Sequence, residues 1–112
     1  MLDHCLSKPG AWRDEPWDGD VVAKVDAKIF AFLGGAESNS VGLKCGADRD
    51  QADEWLIRFP EDAAVMPYIG RSGWNTLTWG GAIPDDEILE AIDTSYDTIV
   101  AKLPKSRRPH QV

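Results

Sequence analysis

Residue types that carry out acid–base or nucleophilic chemistry are scarce in this sequence. The two histidines, His4 and His110, stand at opposite ends of the chain, and the two cysteines are Cys5 and Cys45. His4 and Cys5 are neighbours in a predicted helix, where adjacent side chains point in different directions, so they form no nucleophile–base pair. Cys45 alternates with apolar residues of a predicted strand and is interpreted as a core residue. We therefore expect a protein that is not an enzyme.

Motifs for metals and phosphates are equally weak. The cysteines form no CxxC pair, and no Walker loop, GxGxxG, GxSxG or HExxH pattern occurs. Asp18-Gly19-Asp20 resembles half of a calcium loop but lacks the later acidic ligands, so a hairpin turn is the preferred interpretation. The sequence predicts no cofactor and no metal site, and the cysteine usage predicts a cytoplasmic protein with reduced thiols.

Five tryptophans are many for a chain of 112 residues. Trp55 belongs to the apolar stripe of a predicted helix. Trp74 and Trp79 lie five positions apart in one predicted strand, an odd offset that places them on opposite faces. One of them therefore points away from the core. Beside Arg71 and Asn75, it could stack on a base or on a partner's side chain, unless a helix or loop covers it.

The net charge of −7 is unevenly distributed along the chain. Residues 1–101 carry 8 bases against 19 acids, whereas the segment from Lys102 onward carries four bases and no acid. An acidic body repels a phosphate backbone at long range, so nucleic-acid binding requires a local basic surface. The simpler interpretation of the acid excess is solubility.

Hydrophobic periodicity predicts the elements that position these residues. A short helix over residues 1–7 ends at Lys8-Pro9-Gly10. A short strand over residues 11–14 is one candidate, and three consecutive strands follow over residues 21–25, 28–33 and 40–45. The last of them alternates between apolar and other residues, which is typical of a half-buried strand. Consecutive strands with short turns predict an antiparallel meander.

Two longer helices are predicted further along the chain. Asp48 caps the first, Gln51 is placed to complete a capping box, and Pro60 ends the helix. The second runs from Pro84 to Pro104. The segment between them is predicted to hold a short extended piece at 66–69, a turn at 70–73 and a strand at 74–79.

This order of elements predicts the α+β class, with helices covering one face of an antiparallel sheet. Residues 1–104 are expected to form a single compact domain, and residues 105–112 a basic tail without fixed structure. No apolar run reaches the roughly 20 residues of a spanning helix, and the first residues lack the features of a secretory signal. We therefore expect no membrane association, and we expect a monomer.

Short motifs in a fixed order resemble those of the MmcQ/YjbR family. They span nearly the whole domain, residues 4–103: Cys5-Leu6-Ser7-Lys8-Pro9-Gly10-Ala11, Lys28-Ile29-Phe30-Ala31, Leu43-Lys44-Cys45, Trp74-Asn75-Thr76-Leu77, Ile83-Pro84-Asp85, and Ser95-Tyr96-Asp97 with Val100-Ala101-Lys102-Leu103. The resemblance implies a CyaY-like arrangement, in which two β-hairpins form a double wing that presents basic residues to a DNA duplex. It implies no enzymatic activity and no cofactor.

Carried over to this chain, the resemblance predicts a DNA-binding set on the strands and the turn before residue 74. Lys28, Lys44 and Arg71 would contact phosphates, with Lys24 as an addition. Asn75 would form a hydrogen bond to a base edge or to the backbone. The structural alternative for Lys28 and Lys44 is that they are solvent-facing strand residues that discourage edge pairing.

The functional hypothesis is weak, mainly backbone-directed binding to double-stranded DNA. The alternative is an acidic protein–protein interaction module without nucleic-acid or catalytic activity, which uses an exposed Trp74 or Trp79. A third hypothesis, metal or iron binding by acidic surface residues, rests only on analogy with the frataxin-like fold. Basic side chains gathered on one surface would favour the first hypothesis, and basic side chains paired with carboxylates would oppose it.

Overall fold

A six-stranded antiparallel sheet forms the centre of the protein, of which a computed structural model describes residues 1–35 and 38–109. Its strands are β1 (Ala11–Trp17), β2 (Asp20–Val25), β3 (Lys28–Gly34), β4 (Ser40–Lys44), β5 (Ala63–Val65) and β6 (Trp74–Thr78). They lie in the order β1-β2-β3-β4-β6-β5, so β1 and β5 are the two edges. The predicted antiparallel sheet and its α+β class are confirmed.

Three α-helices accompany the sheet: α1 (Leu2–Leu6), α2 (Arg49–Arg58) and α3 (Asp85–Val100). Two short 3₁₀ turns complete the regular structure, at Gly70–Ser72 and Lys105–Arg107. Within residues 1–35 and 38–109, no helix has the length and apolar character needed to cross a bilayer.

Helix α3 is held on the sheet by its apolar stripe and by two hydroxyl groups. The ring of Tyr96 meets Phe30 of β3 edge to face, with centroids 5.2 Å apart. The Ser95 hydroxyl donates to the Phe30 carbonyl oxygen at 2.7 Å and accepts the Lys44 N–H at 3.0 Å. The Tyr96 hydroxyl donates to the Pro9 carbonyl oxygen, which joins α3 to the segment after α1. Buried polar groups are thus satisfied where helix and strands meet.

Helix α2 begins as predicted, with one difference at its cap. The Asp48 carboxylate accepts the Gln51 N–H at 3.0 Å, which satisfies a free donor of the first turn. The Gln51 side chain accepts from Ala47 N–H, at 2.8 Å, rather than from the cap residue itself. In a standard capping box the N–H of the cap residue would be the donor to this side chain, so the donor here lies one residue earlier in the chain.

Strand β4 is buried on both faces, so the prediction of a half-buried strand is wrong. Ser95 of α3 reaches the Lys44 backbone on one side. On the other side, the sulfur of Met66 and the Cβ of Phe32 fill the space beside Gly42, where a Cβ would lie 2.6 Å from that sulfur. The connection between β5 and β6 covers the face that the alternation pattern left to solvent.

Two edge regions differ from their predictions. The extended piece expected at 66–69 is wrong, because the strand is Ala63–Val65 and a turn follows it. At the opposite edge, β1 continues to Trp17 through a register shift after Asp14. Pro16 is tolerated there because an edge strand has one side without ladder hydrogen bonds.

Part of the basic tail contacts the body of the protein, and its residues Lys105–Arg107 form a 3₁₀ turn. Arg107 forms an ion pair with Asp26 at 3.1 Å. Arg108 donates to the carbonyl oxygens of Ala101 and Leu103, at 2.9 and 3.0 Å, which caps the end of α3. Residues 110–112, and with them His110, lie outside the described residues.

Candidate nucleic-acid interface

Three lysines line one open groove at the end of the sheet. The groove, of about 350 Å³, is bordered by Ala27, Lys28, Ile29, Lys44, Trp74, Ile99 and Lys102, and we call it the lysine groove. These residues lie where elements begin or end: at the β2–β3 turn, at the last residue of β4, at the first residue of β6 and at the end of α3. No carboxylate belongs to this lining.

The strand register explains why the lysines meet there. Lys28 opens β3 directly after the tight turn at residues 26–27, and Lys44 pairs with Trp74 across the β4–β6 ladder. Lys102 follows the last turn of α3, where a cation is favoured by the helix dipole. Lys28 and Lys102 are exposed, and neither forms an ion pair with any carboxylate that the structure describes.

Lys44 differs from its two neighbours because it is only 1% exposed. Its ammonium group donates to the carbonyl oxygen of Ser72, so the prediction of a solvent-facing strand lysine is wrong. Burial lowers the pKa of Lys44, and the positive charge of Lys102 lowers it further. Lys44 therefore contributes a buried charge beneath the groove, whereas its ammonium group is not free to move to a ligand at the surface.

Lys24 is drawn away from a binding role by its neighbours on β1. Its ammonium group lies 2.7 Å from Asp14 and 5.1 Å from the centroid of the Trp12 ring. The hydrogen bond from Lys24 lowers the pKa of Asp14, which keeps that carboxylate ionised and paired. Arg71, by contrast, is exposed on the first 3₁₀ turn and forms no ion pair with a described carboxylate.

Asn75 is fully buried, and its side chain is occupied, so it does not reach a base edge. Its amide nitrogen donates to the Ala52 carbonyl oxygen at 2.8 Å, and its amide oxygen accepts from Arg49. Arg49 also donates to the carbonyl oxygens of Gly70 and Trp74 and pairs with Asp53 at 2.7 Å. We call these contacts the arginine tie, and they join α2, β6 and the first 3₁₀ turn.

Arg49 was not predicted to have a specific role, although its position in the sequence carries one signal. A cation in the first turn of a helix opposes the helix dipole, so its presence there indicates a specific structural partner. Lys102 was also missed as a site residue. Its signal was its position at the start of the segment without acids.

Trp74 is 8% exposed, so the prediction that it projects to solvent is wrong. Its ring packs edge to face against Phe32, with centroids 5.5 Å apart, and forms part of the apolar wall of the lysine groove. Trp79, on the same segment, is half-buried against the core. The alternative in which neighbouring segments cover these rings describes both of them.

A second polar cluster joins α1 to α3. Asp93 lies 2.7 Å from His4 and 3.1 Å from Lys8. Partial burial opposes ionisation of Asp93, but the hydrogen bonds from His4 and Lys8 outweigh it and lower its pKa. Among the described side chains, no three from His, Cys, Asp and Glu come together as ligands for a metal ion.

The sequence matches a known protein family along most of its length, in agreement with this architecture. The sequence model of the YjbR family matches residues 6–98. The chain belongs to the YjbR family. Relatives of this YjbR-family chain include the "Uncharacterized protein YjbR" of Escherichia coli K12 and its counterpart in E. coli O157:H7. Each is 28% identical over 111 residues, which cover 96% of this chain and 91% of the relative.

A solved structure shows the same fold for this YjbR-family chain. The crystal structure of Deinococcus radiodurans protein DR2400, with its DUF419 family domain, superposes with a TM-score of 0.83. It is 22% identical, and the match covers 95% of this chain and 80% of the other. This likeness confirms the α+β fold, and the match of the family model confirms the resemblance drawn from the short motifs.

Proposed function

We propose that this YjbR-family protein binds DNA weakly, through phosphate contacts in the lysine groove. The observation that carries the proposal is the grouping of three lysines, without a lining carboxylate, in a chain whose net charge is −7. Six other cations form ion pairs with acids, whereas Lys28 and Lys102 are left exposed. We expect these charges to give the groove a positive potential against an acidic background.

The groove suits a phosphate rather than a base edge. Lys28 and Lys102 offer mobile ammonium groups, which bind phosphates as point charges. Buried Lys44 adds charge beneath them, and the apolar wall of Ile29 and Ile99 reduces screening by solvent. These contacts supply affinity without reading sequence.

The acidic remainder of the protein limits the strength of this interaction. With two or three phosphates neutralised, log K against log salt has a slope of about −2 to −3. The dissociation constant falls in the range of non-specific binding, about 10⁻⁴ to 10⁻⁶ M. Of the two wings that the resemblance implies, the β2–β3 hairpin contributes Lys28, whereas Lys24 on β2 is neutralised by Asp14 of β1.

Anisotropy titration of a short labelled duplex in about 50 mM salt tests the proposal. The double variant Lys28→Gln/Lys102→Gln is expected to weaken binding by at least tenfold and to reduce the salt slope by about 2. The matched control is Arg13→Gln/Lys24→Gln, which removes the same charge from paired positions and is expected to change affinity by less than about twofold. Equal losses in both variants would contradict a specific groove.

A second candidate function is binding of a basic peptide at the edge strand β1. The observation that favours it is the exposure of Trp12 and Trp17, on a strand whose outer side has no sheet neighbour within the described residues. A peptide added as a further strand would gain main-chain hydrogen bonds and the two aromatic contacts. Calorimetry with an alternating Lys-Val peptide tests this candidate, since Trp17→Ser should abolish the heat of binding.

We infer that the function is binding rather than catalysis, and the support comes from the reactive groups themselves. Burial raises the pKa of Cys5 to about 11 and that of Cys45 to about 12, which disfavours a nucleophilic thiolate. His4 is engaged by Asp93 between two helices. Assay of the purified protein against generic ester and phosphoester substrates tests this inference, and any turnover lost on Cys5→Ser or Cys45→Ser would contradict it.

A further inference from the structure

Tyr68 is presented to solvent by an unusual backbone. Its φ angle is +67°, a left-handed conformation that bulky residues rarely adopt. The N–H of Ile69 donates to the Pro67 carbonyl oxygen at 2.7 Å, so Tyr68 occupies the centre of a three-residue turn. The side chain is fully exposed, at 101% of its reference area, and the core makes no use of the ring.

This turn is joined to the lysine groove by the short connection that ends at Trp74. It leads into the 3₁₀ turn at Gly70–Ser72, whose last carbonyl oxygen accepts the buried Lys44 ammonium group. Arg71, exposed and without an ion pair to a described carboxylate, follows Tyr68 by three residues. An aromatic ring and a free cation therefore stand on the same short connection, beside the site proposed for phosphate.

The charge of the surrounding sequence agrees with an anionic ligand. Residues 63–81 contain no Asp or Glu, although the chain holds 19 acids. The lining of the lysine groove has none either. The segment thus contributes no acid of its own, and the described carboxylates that approach it are Asp53, through the arginine tie, and Asp62, beside Gly81.

We propose that Tyr68 is a stacking platform for an unpaired nucleobase, with Arg71 and the lysine groove holding the flanking phosphates. The inference rests on the proposed function and names its ligand class, DNA that contains single-stranded bases. A single exposed ring contacts the face of any base, so the interaction tolerates sequence. In a fully paired duplex, neighbouring pairs cover those faces. Single strands are therefore preferred over duplex.

The experiment separates stacking from phosphate binding. Anisotropy titrations in low salt compare three labelled ligands: an oligothymidylate, an abasic strand with the same number of phosphates, and a duplex of the same length. The native chain is expected to bind the oligothymidylate at least about fivefold more tightly than the abasic strand. Equal affinity for these two strands would overturn the inference.

Variants at Tyr68 assign the effect to the ring. Tyr68→Phe should retain the preference, whereas Tyr68→Gly should bind oligothymidylate no better than the abasic strand. Glycine suits a positive φ, so the melting temperature of Tyr68→Gly is expected to equal or exceed that of the native chain. That result would show that the variant is folded. The matched control is Ile57→Ala, an exposed apolar side chain on α2 that belongs to no proposed site, which should leave the preference unchanged.

The two proposals fail in distinguishable ways. If the native chain binds none of the three ligands, the proposed function falls and the stacking inference falls with it. If it binds the abasic strand and the duplex with a salt-dependent affinity, but Tyr68→Gly does not change binding of oligothymidylate, only the stacking inference is overturned. That second result would leave Tyr68 as a contact for an apolar protein surface.

Discussion

Two cationic regions lie on either side of Trp74, and they differ in what surrounds their charges. In the arginine tie, Arg49 donates to two carbonyl oxygens, an amide oxygen and a carboxylate. In the lysine groove, Trp74 shares the lining with the exposed Lys28 and Lys102, and no carboxylate of the described residues belongs to that lining. The number of acceptors within reach decides whether a cation stabilises the fold or remains free for a ligand.

The comparison shows why overall charge is a poor guide to the surface of this protein. Its acids outnumber its bases, yet the ion pairs are unevenly distributed, since several cations are paired while Lys28 and Lys102 form no ion pair with an acid in residues 1–35 or 38–109. A small unpaired set creates a local potential that composition does not reveal.

Removal of the arginine tie should have the largest effect. Arg49→Met leaves the Asn75 amide oxygen and two carbonyl oxygens without their donor, so the free energy of unfolding should fall by about 2 to 4 kcal/mol. Urea unfolding followed by circular dichroism measures this. Arg71→Met, which removes an exposed arginine, is the control and should cost less than about 0.5 kcal/mol. A similar cost for both variants would erase the distinction between tied and free cations.

Charge reversal in the lysine groove should weaken DNA binding and leave the stability of the protein almost unchanged. Lys28→Glu/Lys102→Glu is expected to reduce affinity for single-stranded or duplex DNA by more than tenfold, about 1.4 kcal/mol. The free energy of unfolding should change by less than about 0.5 kcal/mol, because both side chains are exposed. Urea unfolding and anisotropy titration of the same samples test the two predictions, unchanged stability and weakened binding. A large loss of stability would place these lysines with the structural cations.

Lys44 lines the groove with Lys28 and Lys102, but unlike them it is buried. The pH dependence of the free energy of unfolding tests its role. Its pKa is lowered in the folded chain, so the unfolded chain binds that proton more tightly. Stability should therefore rise with pH from the folded pKa toward the ordinary lysine value of about 10.4. Lys44→Met removes the buried charge and should stabilise the protein at neutral pH by about 1 kcal/mol.

The measurement for Lys44 is the difference in unfolding free energy between native and Lys44→Met chains from neutral to alkaline pH. That difference should shrink as pH rises, and it isolates Lys44 because the cysteines titrate alike in both chains. A difference that is independent of pH would mean that Lys44 titrates as an ordinary exposed lysine.

The smallest effect is expected at Asp93, where the paired cations are partly exposed. Its pKa is lowered in the folded state, so its stabilisation is present above the unfolded value near 3.9 and is lost as pH falls through the folded pKa. Asp93→Asn should cost no more than about 1 kcal/mol near neutral pH. Thermal melts at neutral and acidic pH measure it, and a cost that persists in acid would indicate a role other than the ion pair.

Local signals were enough to predict most of the fold. The Asp48 cap and the Pro60 stop define α2, and the Asp26-Ala27 turn separates β2 from β3. Strand β5 could not be predicted, because a three-residue segment begun by two alanines has little strand preference and exists only by pairing with β6.

The candidate site was less accessible to sequence reasoning. Lys28 and Lys44 were found through the family resemblance, but their different exposure depends on how the β5–β6 connection covers β4. Asn75 was misassigned because its amide is bound by Arg49, 26 residues away, once α2 has docked. Tyr68 gave no signal, since a positive φ at a tyrosine follows from the closed turn and not from residue preference.

The ion pair between Asp26 and Arg107 has a consequence for the neighbouring lysine. Asp26 precedes Lys28 by two residues and is the nearest acid to it in the chain, yet its carboxylate is occupied by the tail. Cleavage of the chain after Pro104 would release that carboxylate and add an uncompensated negative charge at the mouth of the groove. Loss of the terminal residues would therefore lower anion affinity in two ways, by exposing the Asp26 carboxylate and by removing the Arg108 cap on either side of Lys102.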